Sequence, residues 1–338
     1  MGKKRLIVFD MDGVIVDVSR SYRETVRKAA RLFFSGAHSY HTLPDPLFTL
    51  EDLSKVKQSG GLNNDWDLTC RVIELLCSRV KHSDVKTGSD ISDPWIRYRS
   101  VLSGCDVGEL ASFLSNRNHA LTRLLEESRS VENPFVRSFY AADVGSGNII
   151  KQIFQEIYLG RVLFKTTYGI GPEMHSGKGL IENETLLLHG EIFKRLATEN
   201  ILAIATGRPG NEAGHPLNLF GIKKYFTRIY THDDCVRAEE KIFHEKGCRI
   251  SLGKPDPYML DAVAEDMGES VDRYCYIGDM PDDMLAAKRS KYGYVGVGVT
   301  FSAVNKKDLT EALADAGADH TAGDAEALLS IFENENLF

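Results

Sequence analysis

The chain has no C-x-x-C pair, no apolar run approaching membrane-spanning length and no excess of positive charge, and each absence removes a class of function. Its six cysteines, Cys70, Cys77, Cys105, Cys235, Cys248 and Cys275, lie scattered. They lack the dense spacing of a stapled secreted domain and are expected to be reduced thiols of a cytoplasmic protein. Lys and Arg number 41 against 48 Asp and Glu, for a formal charge of -7. That balance removes the electrostatic footprint of a nucleic-acid binder and favours small-molecule partners. The basic start, Lys3-Lys4-Arg5, precedes an apolar run that stops at Phe9, too short for the core of a signal peptide. With no membrane-spanning stretch elsewhere, no membrane partner is expected.

Two further signals are missing. His175, His189 and His215 show no metal-ligand spacing. The glycines between Gly171 and Lys178 do not form a nucleotide-binding phosphate loop. Five residues separate Gly171 from Gly177 where four are required, and Gly179 follows Lys178 where Ser or Thr is needed. The sequence also carries no internal repeat, and nothing in it bears on oligomeric state.

What remains is a chain of 338 residues, 43% hydrophobic, long enough for two domains of ordinary size. Leu6 to Phe9 is a continuous apolar run that ends abruptly in acidic residues and Gly13, as a strand buried on both faces ends at the carboxyl edge of a sheet. Similar runs lead from Ile201 to Ala205 into Thr206-Gly207-Arg208, from Tyr274 to Ile277 into Gly278-Asp279, and from Tyr294 to Val299 into Thr300. Helical stretches separate them, which predicts an α/β fold with a doubly wound parallel sheet. Ligands of such sheets sit outside the carboxyl ends of the strands, so Asp10, Thr206 and Asp279 are expected to converge. After Thr300 two more helices are expected around a short sixth strand near Ala318 to Thr321.

Residues 16–184 read differently. Val26, Ala29, Ala30, Phe33 and Phe34 recur at helical spacing, as do Ile149, Ile153, Phe154 and Ile157. The expectation is a mostly helical insertion over 16–184 within a core formed by 1–15 and 185–338. The polar stretch from Lys81 to Asp106 has no clear assignment.

Phosphoryl transfer needs an in-line nucleophile, a proton donor for the leaving oxygen and positive charge on the nonbridging oxygens. Asp10 and Asp12, one residue apart at a strand's end, can divide into nucleophile and general acid/base. The segment Asp10-Met11-Asp12-Gly13-Val14 resembles the first motif of the haloacid dehalogenase superfamily of phosphatases. Thr206 in Ala205-Thr206-Gly207-Arg208 is similar to the second motif, and Lys254 in Gly253-Lys254-Pro255-Asp256-Pro257 to the third. Gly278-Asp279-Met280-Pro281-Asp282-Asp283 resembles the fourth, and all four stand in order.

The resemblance implies a Rossmann-like core, and the place and helical character of the insertion resemble the C1 cap of the phosphoglycolate phosphatase-like members. It implies that Asp10 attacks phosphorus to give an aspartyl-phosphate, while Asp12 protonates the leaving group and later activates water. Thr206, Gly207 and Lys254 would hold the phosphate. Mg²⁺ would be bound by the Asp10 carboxylate, the Asp12 carbonyl and Asp279, with Asp283 supporting its shell, a donor set suited to a hard cation. The implied reaction is hydrolysis of a small phosphorylated metabolite. Transfer to a sugar hydroxyl, as in β-phosphoglucomutase, and phosphometabolite binding without turnover are the alternatives.

Candidate substrate contacts are Arg20 beyond the first turn, the loop residues Lys57, Gly60, Gly61, Asn63 and Asn64, and Arg208. For the loop the competing reading is a helix cap formed by Asn64 or Asp65 with Trp66 in the core. For Arg208 it is simple exposure to solvent.

Overall fold

In a computed structural model, which describes residues 4–58, 64–82, 91–128, 133–303 and 305–333, the chain divides into two units. One joins the residues up to Val18 to those from Glu184 onward, and the other runs from Ser19 to Asn183. The divisions fall after Val18 and before Glu184, against the expected 15/16 and 184/185. Val16–Asp17 pairs antiparallel with Thr185–Leu186, and this ribbon ties both chain crossings to the first unit.

The first unit is built on a parallel sheet of six strands: β1 (Lys4–Phe9), β2 (Asn200–Ala205), β3 (Arg228–Tyr230), β4 (Val271–Gly278), β5 (Val295–Val299) and β6 (His320–Ala322), in the order β6-β5-β4-β1-β2-β3. Leu6 lies opposite Ile201 on one side and Tyr274 on the other. Leu6 through Phe9 are fully buried because β1 is covered on both faces. Leu6 and Val8 join a core with Met259, Leu260, Val263 and Ala286, from the helices Tyr258–Met267 and Pro281–Arg289. Phe9 packs edge-on against Phe193 and Phe226, with ring centroids 5.6 and 6.0 Å away.

The sheet winds outward from β1 in both directions, and the reversal of strand order places a crevice at the carboxyl end of β1. β3 carries no apolar run like those that mark β1, β2, β4 and β5, being three residues long and only partly buried. The tail holds the helix Lys306–Asp315, β6 and the helix Ala325–Glu333, with β6 shifted slightly beyond the expected Ala318 to Thr321.

The second unit is mostly helical. Tyr22–Leu32 buries Val26, Ala29 and Ala30, and its Tyr22 stacks on Tyr158 of Ile149–Tyr168 at 4.2 Å. The unassigned polar stretch contains a two-residue ribbon, Lys81–His82 with Cys105–Asp106, and the helix Pro94–Leu102. Two buried acids of this unit serve the backbone: Asp52 accepts from Leu121 and Thr122 N–H at 2.7 and 2.8 Å. Glu156 accepts from the backbone N–H of Glu173, Met174 and His175. Among the described residues no helix is long and apolar enough to cross a membrane.

Gly278 ends β4 where the chain has no room for a side chain, since a Cβ there would lie 2.3 Å from Asp283 Cβ and 2.5 Å from Asp283 Cγ. Gly214, inside the helix Gly210–Leu219, would place its Cβ no closer than 3.9 Å to a neighbour. Gly278→Ala is therefore expected to destabilise by about 2 kcal/mol or more through overpacking, whereas Gly214→Ala should stabilise by about 0.5–1 kcal/mol. Thermal melts of the two variants against wild type check this, and equal melting temperatures would contradict the packing described here.

Candidate active site

The crevice gathers its side chains from the first residues beyond three adjacent strands. Asp10 continues β1, donating its backbone N–H to Ile277 O at 2.9 Å, and Thr206 continues β2, donating to Tyr230 O at 3.0 Å. After Asp10 the chain folds tightly, with Met11 O accepting from Ile15 and Val16 N–H at 2.8 and 2.9 Å. Gly13 sits in this turn with φ +72°, and a Cβ there would fall 2.0 Å from Asp279 Oδ2. Only glycine satisfies both the backbone and the carboxylate that approaches from β4.

Lys254 binds two buried acids at once, with Nζ 2.9 Å from Asp10 Oδ1 and 2.7 Å from Asp283 Oδ1. The Tyr276 hydroxyl donates to Asp283 Oδ1 at 2.9 Å, and Met280 N–H donates to Asp283 Oδ2 at 3.0 Å. Asp283 reaches this position from the first turn of Pro281–Arg289, where Pro281 occupies the start and an acid favours the positive helix end. Burial alone would push the Lys254 ammonium down, but the charges of Asp10 and Asp283 outweigh it and hold it well above its ordinary value. Asp10 is pushed up to about 7. Burial is the main cause, Lys254 pulls the other way, and Asp283 and Asp12 add to the rise.

Arg208 is not the solvent-exposed residue that one reading supposed. It is 2% exposed and binds Asp12 Oδ1 through Nε at 2.6 Å and through Nη2 at 2.6 Å. Nη1 and Nη2 bind Glu184 Oε2 and Oε1 at 3.0 and 3.1 Å, and Nη1 also reaches Glu212 O at 3.4 Å. Every nitrogen of the guanidinium is thus committed within the unit. The Thr206 hydroxyl accepts from Arg208 N–H at 3.2 Å, a contact that leaves its own proton for another acceptor. Gly207 is exposed beside it, with open space where a side chain would stand.

Asp10, Asp279 and Asp283 bring carboxylate oxygens within 4.8 Å of one another. This all-oxygen set fits a hard divalent cation such as Mg²⁺. Asp283 is the most deeply buried of the three and already serves Lys254, Tyr276 and Met280, which suits a supporting position better than a direct one.

The other candidates lie in the second unit. Lys57 pairs with Asp65 at 3.3 Å, and Asn64 caps Asp65–Cys77 by accepting from Asp67 N–H at 2.7 Å. Both side chains therefore have local structural duties. Trp66 is only half-buried and lies under Lys151 Nζ at 4.3 Å, so it is not the core residue the capping reading supposed. Arg20 is exposed, and Gly60, Gly61 and Asn63 fall outside the described residues.

Two site residues left no usable sign in the sequence. Tyr276 lies within an apolar strand run, where its hydroxyl goes unnoticed. Glu184 is one acid among several before Thr185. Neither belongs to a motif: Tyr276 is defined by Asp283 seven positions on, and Glu184 by Arg208 24 positions on.

The burial of Asp10 has a measurable sign. Its proton is held more tightly in the folded than in the unfolded chain, so its stabilising contribution is complete below the ordinary value of 3.8 and is lost as pH rises through about 7. In EDTA, Asp10→Asn should melt several degrees above wild type at pH 8, and the gain should shrink as pH falls from 7 toward 4. A variant that melts below wild type at pH 8 would exclude burial as the dominant cause.

Comparison with known proteins agrees with this architecture. Residues 4–291 match the family model for haloacid dehalogenase-like hydrolases. An X-ray structure from a structural genomics consortium superposes with a TM-score of 0.64 at 22% identity, covering 98% of this chain and 99% of the other. Phosphatase Tt82 from Thermococcus thioreducens gives 0.52 at 20% identity, covering 91% and 99%. A curated sequence, imidazoleglycerol-phosphate dehydratase of Phytophthora nicotianae, is 23% identical over 90% of this chain, which spans 45% of that relative's length. With the family model matched over most of its length, the chain belongs to the haloacid dehalogenase-like hydrolases.

Proposed function

We propose that the protein is a Mg²⁺-dependent phosphatase that hydrolyses a small phosphorylated metabolite through an aspartyl-phosphate on Asp10. The observation that carries this reading is the convergence of Asp10, Asp12, Thr206 and Asp279 at the switch point of the sheet, with Lys254 joined to Asp10 at 2.9 Å. Asp10 supplies the attacking oxygen. Asp12 gives a proton to the departing oxygen and takes one from water in the second half. The Thr206 hydroxyl, the Gly207 backbone and the Lys254 ammonium are suited to phosphate oxygens.

Lys254 also offsets the repulsion that two acids and a phosphate dianion would otherwise feel. Mg²⁺ held by Asp10, the Asp12 carbonyl and Asp279, with Asp283 behind them, would add positive charge against the same oxygens. The family membership and the acidic cluster support this assignment.

A panel of sugar, polyol, carboxylate and nucleotide monoesters assayed for inorganic phosphate tests the proposal. Wild type should release phosphate with Mg²⁺ and stop in excess EDTA. Asp10→Asn should lose at least about 1000-fold in turnover while remaining folded, because a neutral amide cannot form the acyl phosphate. Isomerised phosphosugar without stoichiometric phosphate would mean a mutase instead, and near-normal turnover by Asp10→Asn would exclude Asp10 as the nucleophile.

A further inference from the structure

Asp12 is a working acid whose position packing alone does not determine. Its side chain is 33% exposed, and the terminal torsion of an aspartate is broad, so the carboxyl plane needs an external constraint. Arg208 provides it. The guanidinium uses one edge, Nε and Nη2, on Asp12 Oδ1, and its end, Nη1 and Nη2, on both oxygens of Glu184. Glu184 is 4% exposed and Arg208 2%.

Burying such a pair carries a desolvation cost for each ion before the two meet, and apolar side chains of similar volume would hold a fold as well. Stability alone therefore does not account for the pair. The bidentate grip of Glu184 fixes the plane of the guanidinium, and that plane fixes where Asp12 Oδ1 lies.

We propose that Glu184 and Arg208 are positioning residues that hold Asp12 by Oδ1 and so present Oδ2 to the leaving-group oxygen. The inference rests on the phosphatase reading above. As an Asp10 oxygen bonds to phosphorus and the ester P–O bond breaks, the proton on Asp12 Oδ2 passes to the departing oxygen. Asp12 is left as a carboxylate on Arg208. In the second half water attacks phosphorus, its proton returns to Oδ2, and the bond between phosphorus and Asp10 breaks. Arg208 and Glu184 exchange no proton in either half.

The test compares two esters that differ in their need for that proton. The p-nitrophenolate of p-nitrophenyl phosphate departs as a stable anion, whereas the phenolate of phenyl phosphate leaves poorly without an acid. Arg208→Ala, Arg208→Lys and Glu184→Gln are assayed with both, together with thermal melts that identify folded variants. Lysine keeps the charge but cannot fork, and the Gln variant keeps the shape of Glu184. This set leaves a folded variant to read even if alanine unfolds the site.

The expected result is a fall of about 100-fold in kcat/KM for phenyl phosphate with little change for p-nitrophenyl phosphate. Added guanidinium chloride should restore phenyl phosphate turnover in folded Arg208→Ala. Equal losses on both esters in the folded variants would overturn the assignment and make the pair merely structural. Absence of turnover on any phosphate ester by wild type would overturn the phosphatase reading itself, a distinct outcome.

Discussion

Two carboxylates cannot share a buried crevice unless something offsets their repulsion, and Lys254 is the group that does so for Asp10 and Asp283. Its Nζ lies within 3 Å of an oxygen of each. Much of the local architecture serves that contact. Gly278 gives up its side chain so that Asp283 can lie against β4, Pro281 starts the helix that carries Asp283, and Tyr276 donates to the same oxygen that Lys254 uses. Remove the ammonium and the other three features would bring together acids that repel one another.

Arg208 repeats the device with different parts. In each case a cation is shared between an acid at the crevice and a more deeply buried acid from another segment: Asp10 and Asp283 for Lys254, Asp12 and Glu184 for Arg208. The two cations differ as their tasks do. Lysine is a compact charge that can turn toward several oxygens, whereas arginine is a planar fork that imposes direction. A point charge stands beside the proposed nucleophile, and a directional fork stands beside the proposed proton carrier.

Much of this could be read in the sequence, for identifiable reasons. β1, β2, β4 and β5 announce themselves because the stretch of each that is covered on both faces is apolar, and their abrupt polar endings mark the carboxyl edge. β3 is short and partly exposed, so burial leaves no trace in its residues. The aspartates, Thr206 and Lys254 stand in local motifs, while the part played by Arg208 depends on Glu184 and Asp12, and no window of neighbouring residues contains all three. In the second unit, the helical faces through Val26 and Ile153 were legible from their period. The loop around Asn64 was not, because the same polar residues that suit a ligand also suit a helix cap.

The ribbon of Val16–Asp17 with Thr185–Leu186 has an architectural consequence. It fastens the exit and re-entry points of a long excursion side by side, so the sheet experiences that excursion as though it were a hairpin. Closing a loop costs only logarithmically more as it lengthens, about 0.6 kcal/mol for each doubling. Material could therefore be added to or trimmed from the excursion at small expense to the strands, leaving the chemistry of the core constant while the appended part is free to diverge.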